Sequence, residues 1–293
     1  MTTGPAEIFD LGYRGYEGER TSRWRRRLAI WRDGVRISLG LGRSAGAKFA
    51  SWLLIGLALV PMVVLVVFAA FLSPAEEAAE DFELPSYADY YEWAHVPLIL
   101  FAAVVAPLLL CPDRRDGVLA LYAARPITPT DYVGSRWSAF LTVSATAAWL
   151  PVAVLFTWNA LDARSTGSWL ADNWDVIPRS LAAAAAVAIP LTTLSLLAAS
   201  FAKRRAYAAV ATLAVLLVGS AVGGIAEEDF EGSVADILSL ASLSQVSVDT
   251  VKWIFSDEIE RPRAGWVSGL WLTGVTIVLA AWLLQRTRQL VRE

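Results

Sequence analysis

LAAAAAVAIPLTTLSLLAASFAKRRAYAAVATLAVLLVGSAVGGIA, residues 181–226, decides how this chain folds. Two apolar runs, 181–202 and 206–226, flank three consecutive cations, Lys203, Arg204 and Arg205. A bilayer core about 30 Å thick takes ~20 mostly apolar residues per helix, so each run is long enough to cross once. The cations between them orient the pair, because segments on the cytoplasmic side of a membrane helix are enriched in Lys and Arg.

Working outward, four more apolar stretches have spanning length: 50–72, 94–111, 137–161 and 264–285. The fold class expected is an all-α integral membrane protein with six transmembrane helices. An even number of crossings puts both termini on one side, and the cations choose it. Of the 25 Lys and Arg residues, 20 lie in the N-terminal segment, the connection between the second and third stretches, the 203–205 turn and the C-terminal tail. The other face holds Arg164, Arg179, Lys252, Arg261 and Arg263, and most of the acids fall in 76–92 and 227–260. Both termini are therefore expected in the cytoplasm. The net charge of −3 conceals this separation, and the basic clusters read as topology determinants rather than as a nucleic-acid surface. Trp93, Trp158, Trp253 and Trp266 fall near outer ends and Trp52, Trp137 and Trp282 near inner ones, as an interfacial belt requires. Trp149 and Trp271 do not fit it. The polar, arginine-rich start has no short apolar core of a cleavable signal, so the first span is expected to be retained.

The remaining chemistry is sparse. Cys111 is the sole cysteine, at the inner end of the second stretch, and reads as a small packing residue with a reduced thiol. His95 is the sole histidine, beside Trp93, and alone it makes no metal site. None of the six stretches contains Asp, Glu, Lys or Arg, which disfavours proton- or ion-coupled transport. Their polar groups are hydroxyls such as Thr142, Ser144, Thr146, Thr192, Thr193, Ser195, Thr212 and Ser220, expected to satisfy backbone carbonyls or bond between helices. No G-x-x-x-x-G-K-[ST] loop occurs, so this chain does not bind ATP by that route. No catalytic residue and no bound cofactor is expected. Pro61, Pro97, Pro107, Pro151 and Pro190, with Gly219, Gly223 and Gly224, mark places where a helix bends or packs closely.

Residues 1–22 read as a cytoplasmic tail and 23–49 as an amphipathic segment. Within it Trp24, Leu28, Trp31, Val35 and Leu39 recur at helical spacing, with Arg25, Arg32, Arg36 and Arg43 off that stripe. Such a helix is expected to lie along the cytoplasmic surface of the bilayer, or to pack on a soluble partner. In the connection 112–136, Asp116 and Gly117 are read as starting a short helix through Val118, Leu119, Leu121 and Tyr122 that Pro126 stops. Thr128 then offers an N-cap, Pro129 the first helical position and Asp131 a first-turn acid for the next helix. The external segment 227–263 carries a broken apolar face of Val234, Ile237, Leu238, Ala241, Val248, Val251 and Phe255. Residues 50–285 form the six-helix domain and 286–293 a second cytoplasmic tail.

The connection carries a resemblance. Asp113, Arg114, Arg115, Asp116 and Gly117, then Leu119 and Leu121, then Arg125, Pro126 and Ile127, resemble the first cytoplasmic loop of type-two ATP-binding-cassette (ABC) exporter permeases. The wider frame of six spans, an interfacial helix before the first and both ends inside is similar too. Tyr13, Tyr16, Gly18 and Arg20 resemble a preamble of some bacterial members. The resemblance implies that the 113–127 loop is the coupling helix, and that a separate ABC ATPase subunit binds the ATP and magnesium. It also implies a second permease chain, identical or homologous, with the pathway between the two, in a bacterial inner (plasma) membrane. ATPase closure would then press on the loop and the basic helix and move spans one, two and five. The family's external segment forms short re-entrant or interfacial helices, which suits 233–255. Lack of charge within the spans argues for an apolar or amphipathic cargo. Two other classes stay open: a non-transporting membrane component of an assembly, resistance or signalling complex, and an intramembrane lipid-modifying enzyme, which the absence of paired acid, base or nucleophile disfavours.

Overall fold

The computed structural model describes residues 22–42, 45–72, 86–117, 127–230, 232–257, 259 and 264–290. Among them every regular element is a helix: α1 Arg23–Ser38, α2 Ala45–Leu72, α3 Asp89–Arg115, α4 Pro129–Asp162, α5 Thr166–Asp172, α6 Val176–Phe201, α7 Arg205–Asp229, α8 Ser233–Ser239, α9 Leu243–Phe255 and α10 Gly265–Leu290. Five helices are long and apolar enough to cross a membrane, namely α3, α4 and α6 over their full lengths, α7 over Arg205–Ala226 and α10 over Gly265–Gln289. The α8 and α9 pair, bent by 102° at its break, passes the same test only if taken together. In α2 the 28-residue helix contains the shorter apolar stretch Lys48–Val60.

Most of these helices overrun the apolar stretches that mark them. The second stretch, 94–111, becomes Asp89–Arg115, and the third, 137–161, becomes the 34-residue Pro129–Asp162. At 1.5 Å per residue α4 is about 51 Å long, well beyond a ~30 Å hydrocarbon core. Hydropathy marks the apolar middle of a helix, whereas capping and ion pairing extend it into polar surroundings at both ends. Thr128 caps α4 as its position suggests: its hydroxyl accepts from the Asp131 N–H while the Asp131 carboxylate accepts from the Thr128 N–H, closing a capping box with Pro129 at the first position.

α3 and α6 occupy the centre. Their apolar windows are 72% and 67% buried, against 22% for those of α7 and α10, whose faces point outward. α6 packs on α3, α4, α7, α9 and α10, and the core it shares with α3 and α4 includes Phe101, Val105, Leu109, Phe140, Val152, Leu155 and Leu196. Phe101 and Phe140 stack with ring centroids 5.8 Å apart.

Several hydroxyls do bond along their own helices, Thr142, Thr146, Thr193, Ser195 and Thr212 each donating to the carbonyl four residues back. The two tryptophans outside the belt are accounted for as well: Trp149 Nε1 donates to Ser180 Oγ at 3.1 Å and Trp271 Nε1 to the Leu240 carbonyl at 2.9 Å. Each indole N–H is thus paired inside the protein, although Trp149 is half-buried and Trp271 exposed.

Glycines permit two close helix approaches. A methyl built at Gly219 of α7 would sit 2.5 Å from the Ala241 carbonyl oxygen, and one at Gly223 2.5 Å from Gln245 Oε1, so these glycines admit the α8–α9 elbow against α7. A methyl at Gly34 of α1 would sit 2.7 Å from Ala139 Cβ of α4.

Candidate functional site

The ion pairs sort the molecule into two ends. Arg23 and Arg27 meet Asp131, Arg136 meets Asp33 and Asp113, and Arg115 meets Asp116, all among residues placed on the basic side. Lys252 meets Glu92 and Arg179 meets Asp175 at the other end. No ion pair among the described residues joins one side to the other.

At the basic end, Arg136 is the hub. Its side chain is only 3% exposed, yet Nη1 donates to Asp33 Oδ2 at 2.7 Å and Nη2 to Asp113 Oδ2 at 3.0 Å. Tyr132, one turn earlier on α4, donates its hydroxyl to the same Asp113 oxygen at 2.6 Å and offers its ring face to the guanidinium at 5.7 Å. One arginine thus ties α1 and the end of α3 to α4. A second clasp lies beside it, where Asp131, 4% exposed, accepts from Arg23 at 2.8 Å and pairs with Arg27 at 3.5 Å. Arg114 extends the assembly to α6 by donating to the Ser200 and Ala202 carbonyls. Those carbonyls end a helix and lack intrahelical donors, so a cation is favoured there both as a hydrogen-bond partner and against the helix dipole.

Arg115 and Asp116 behave differently. They form an exposed pair at 2.8 Å just where α3 stops, and the Arg115 hydrogen bond holds the Asp116 carboxyl below the usual carboxylate range. Asp116 caps α3 through its backbone N–H to the Pro112 carbonyl, and Gly117 follows at φ +68°. The left-handed turn favours glycine and ends helices. Asp116 and Gly117 thus terminate α3, and the short helix expected after them through Val118, Leu119, Leu121 and Tyr122 lies outside the described residues. Leu119, Leu121, Arg125 and Pro126 lie outside the described residues, as do Val118, Tyr122 and the tail with Tyr13, Tyr16, Gly18 and Arg20. Ile127, the first described residue after Gly117, is half-buried against the core.

The stripe expected on the basic helix is present but is not the face most deeply packed. Ile30, Gly34 and Ser38 are the buried residues of α1. Leu28, Trp31, Val35 and Leu39 are half-buried beside them, and Trp24 is 67% exposed. Close approach at Gly34 turns the small-residue line onto α4 and leaves the aromatic line along its flank.

Sequence reasoning missed Asp33, Tyr132 and Arg136 as members of the site. The connection read from the sequence ends at Arg136, although the helix expected from Pro129 already includes that residue, and its burial against Asp33 and Asp113 was not foreseen. Signals were there: Asp33 is the lone acid in the basic stretch 22–48, and Tyr132 and Arg136 stand four apart after a cap. Outside the six charge-free stretches, Arg136, Asp249 and Lys252 are buried as well. Cys111 is a free, buried thiol, as expected for a packing residue.

No protein-family model and no curated protein matches this sequence. No group of three or more His, Cys, Asp or Glu side chains suited to a metal ion occurs among the described residues.

Proposed function

We propose that this chain is the membrane permease subunit of an ATP-driven exporter of the type-two ABC class, working with a separate ATPase subunit bound at its basic end. The observation that carries the reading is the Asp33–Arg136–Asp113 clamp lying directly behind an exposed Arg115–Asp116 pair. An exposed charged tip at the end of α3 suits docking on a soluble subunit. The buried clamp behind it suits transmission of force, since a push on the tip reaches α1 and α4 through short charge-assisted bonds and α6 through Arg114. The loop resemblance in 113–127 supports the same assignment.

In this reading α2 supplies the sixth span with α3, α4, α6, α7 and α10, and both termini lie in the cytoplasm of a bacterial plasma membrane. α1 rests at the inner surface with Trp24 and Trp31 towards lipid. The outward faces of α7 and α10 meet lipid or a second permease chain. ATP and magnesium belong to the partner, and the energy of their use arrives as movement of α3 and α1.

Gentle-detergent purification of the tagged chain from its native membrane, followed by mass spectrometry and an ATPase assay on the eluate, tests the assignment. A stoichiometric Walker-type ATPase whose hydrolysis falls when Asp116 is replaced by Arg is expected. A clean preparation without an ATPase removes the exporter assignment. Nucleotide-driven rearrangement without transport in sealed vesicles would favour a force-transmitting complex instead.

A further inference from the structure

At the basic end, the close of α3 and the turn from α6 to α7 wall a cavity of about 300 Å³ lined by Cys111, Pro112, Arg115, Lys203, Arg204 and Arg205. Of these, Cys111 is buried, Pro112 half-buried and the four cations exposed. Orienting a helix pair in a membrane needs cations near its surface. It does not need four of them around one cavity.

What already engages each cation decides what the cavity lacks. Arg115 is held by Asp116 at 2.8 Å. No ion pair among the described residues engages Lys203, Arg204 or Arg205, although Asp116 feels the Arg205 charge at longer range. Arg204 lies 5.9 Å from the Tyr207 ring centroid, a contact that leaves guanidinium N–H donors for other partners. Nor does the end of α6 need these three, because the carbonyls of Ser200 and Ala202 accept from Arg114. α7 begins at once, with Arg204 as an N-cap that makes no side-chain cap bond, so the positive end of that helix adds to the same field. Like charges gathered this way repel one another, and an anion between them turns the repulsion into attraction.

We propose that this cavity binds the phosphate headgroup of an acidic phospholipid in the leaflet that meets the basic end. Guanidinium forks match a phosphate with paired bonds, and a lysine adds a point charge. Basic pockets between membrane helices suit such headgroups, whereas a zwitterionic headgroup would carry its own ammonium in among the cations. Position favours a lipid over a soluble anion or an acidic segment of a partner. The apolar run of α6 stops at 202 and that of α7 starts at 206, which sets the turn at the edge of the hydrocarbon. Phe201, Tyr207 and Trp282 beside it are exposed, with the Phe201 and Trp282 rings 5.5 Å apart. Aromatic rings at that level suit the glycerol and upper chain of a bound lipid. The inference rests on α6 and α7 spanning the membrane and requires no ATPase.

Native mass spectrometry of the full chain in mild detergent, titrated with phosphatidylglycerol or with phosphatidylcholine of equal chain length, tests it. The parent is expected to retain phosphatidylglycerol in clear preference. Losing Lys203 and Arg205 together, as Lys203→Gln with Arg205→Gln, should weaken that retention about thirtyfold, and Lys203→Gln alone about fivefold. Arg32→Gln with Arg36→Gln removes the same charge from exposed positions on α1 and should leave retention as in the parent. If the first pair is not recovered as monodisperse protein, the single Lys203→Gln variant decides. Equal retention of the two lipids, parent-like retention in Lys203→Gln, or equal loss in the α1 pair overturns the proposal. So does displacement by equimolar glycerol phosphate, which would make the occupant a soluble anion. Neither nucleotide nor ATPase enters the assay, so a negative result leaves the coupling assignment to its own test.

Discussion

Arg136 is 3% exposed and reaches two carboxylates at the basic end, while at the outer end His95 Nδ1, Ser244 Oγ and Gln245 Oε1 are buried with no partner at all. Both regions place polar groups inside an apolar bundle, where desolvation is expensive. The first ties three helices together through Arg136, whose Nη atoms are paired although its Nε is not, whereas the second leaves three atoms without any partner. Paired charges between helices hold those helices in register. On the exporter proposal, the paired region is the one suited to carry force from helix to helix.

The largest expected effect comes from breaking the paired region. Arg136→Ala removes two charge-assisted hydrogen bonds, to Asp33 and Asp113, and should cost about 3 kcal/mol, at roughly 1.5 kcal/mol for each bond to a charged group. Fluorescence-detected size-exclusion after a temperature series reads this as a strongly lowered melting point. Arg136→Lys keeps the charge but loses the two-pronged geometry, and should fall between Ala and the parent. If Arg136→Ala melts with the parent protein, the clamp contributes nothing and the contrast between the ends dissolves.

Overpacking comes next. Gly219→Ala drives a methyl onto the Ala241 carbonyl oxygen, a backbone atom that cannot swing aside. A loss of about 1–3 kcal/mol is expected, together with faster proteolysis of the α8–α9 elbow. Gly34→Ala meets Ala139 Cβ in the same way and should loosen α1 from α4. Equal melting of Gly224→Ala and Gly219→Ala would contradict the close approach, because a methyl at Gly224 meets nothing within 4 Å.

A smaller effect is expected at Thr128. Its side chain satisfies one N–H at the start of α4, and Thr128→Ala should cost ~1 kcal/mol, with Thr128→Ser close to the parent. Smallest for stability, and most informative for function, is charge reversal at the exposed tip. Asp116→Arg and Arg115→Glu should leave melting unchanged and, on the exporter proposal, abolish stimulation of ATP hydrolysis in the proposed ATPase partner. Loss of stability there, or unaltered stimulation, would move the coupling surface elsewhere.

Much of the helix inventory was legible because it depends on composition and length. Runs such as 181–202 and 206–226 have one favourable solvent, and the cations at 203–205 have another. The cap at Thr128 was legible for a similar reason: Thr-Pro-Thr-Asp places an acceptor and a first-turn acid at fixed offsets. Arg136 was not, because a buried arginine looks like a loop cation until its partners are known, and those partners come from positions 33 and 113. The same holds for Asp249 and Lys252, whose segment read as an external apolar face. Only the fold of α9 against α3 reveals that Lys252 has Glu92 to pair with. Gly117 shows a role that residue type alone leaves open, since a glycine suits either end of a helix and its φ of +68° here ends α3.

Site-specific cross-linking from the two ends tests the central claim most directly. Cys111 is the sole native cysteine and is buried, so a thiol introduced by Asp116→Cys at the basic tip, or by Thr166→Cys on the exposed surface of α5 at the outer end, reports on its own position. With a short bifunctional maleimide in native membranes, Asp116→Cys should join the chain to an ATPase subunit and Thr166→Cys should not. Capture of the ATPase from position 166, or from neither position, would contradict a coupling surface at the basic end.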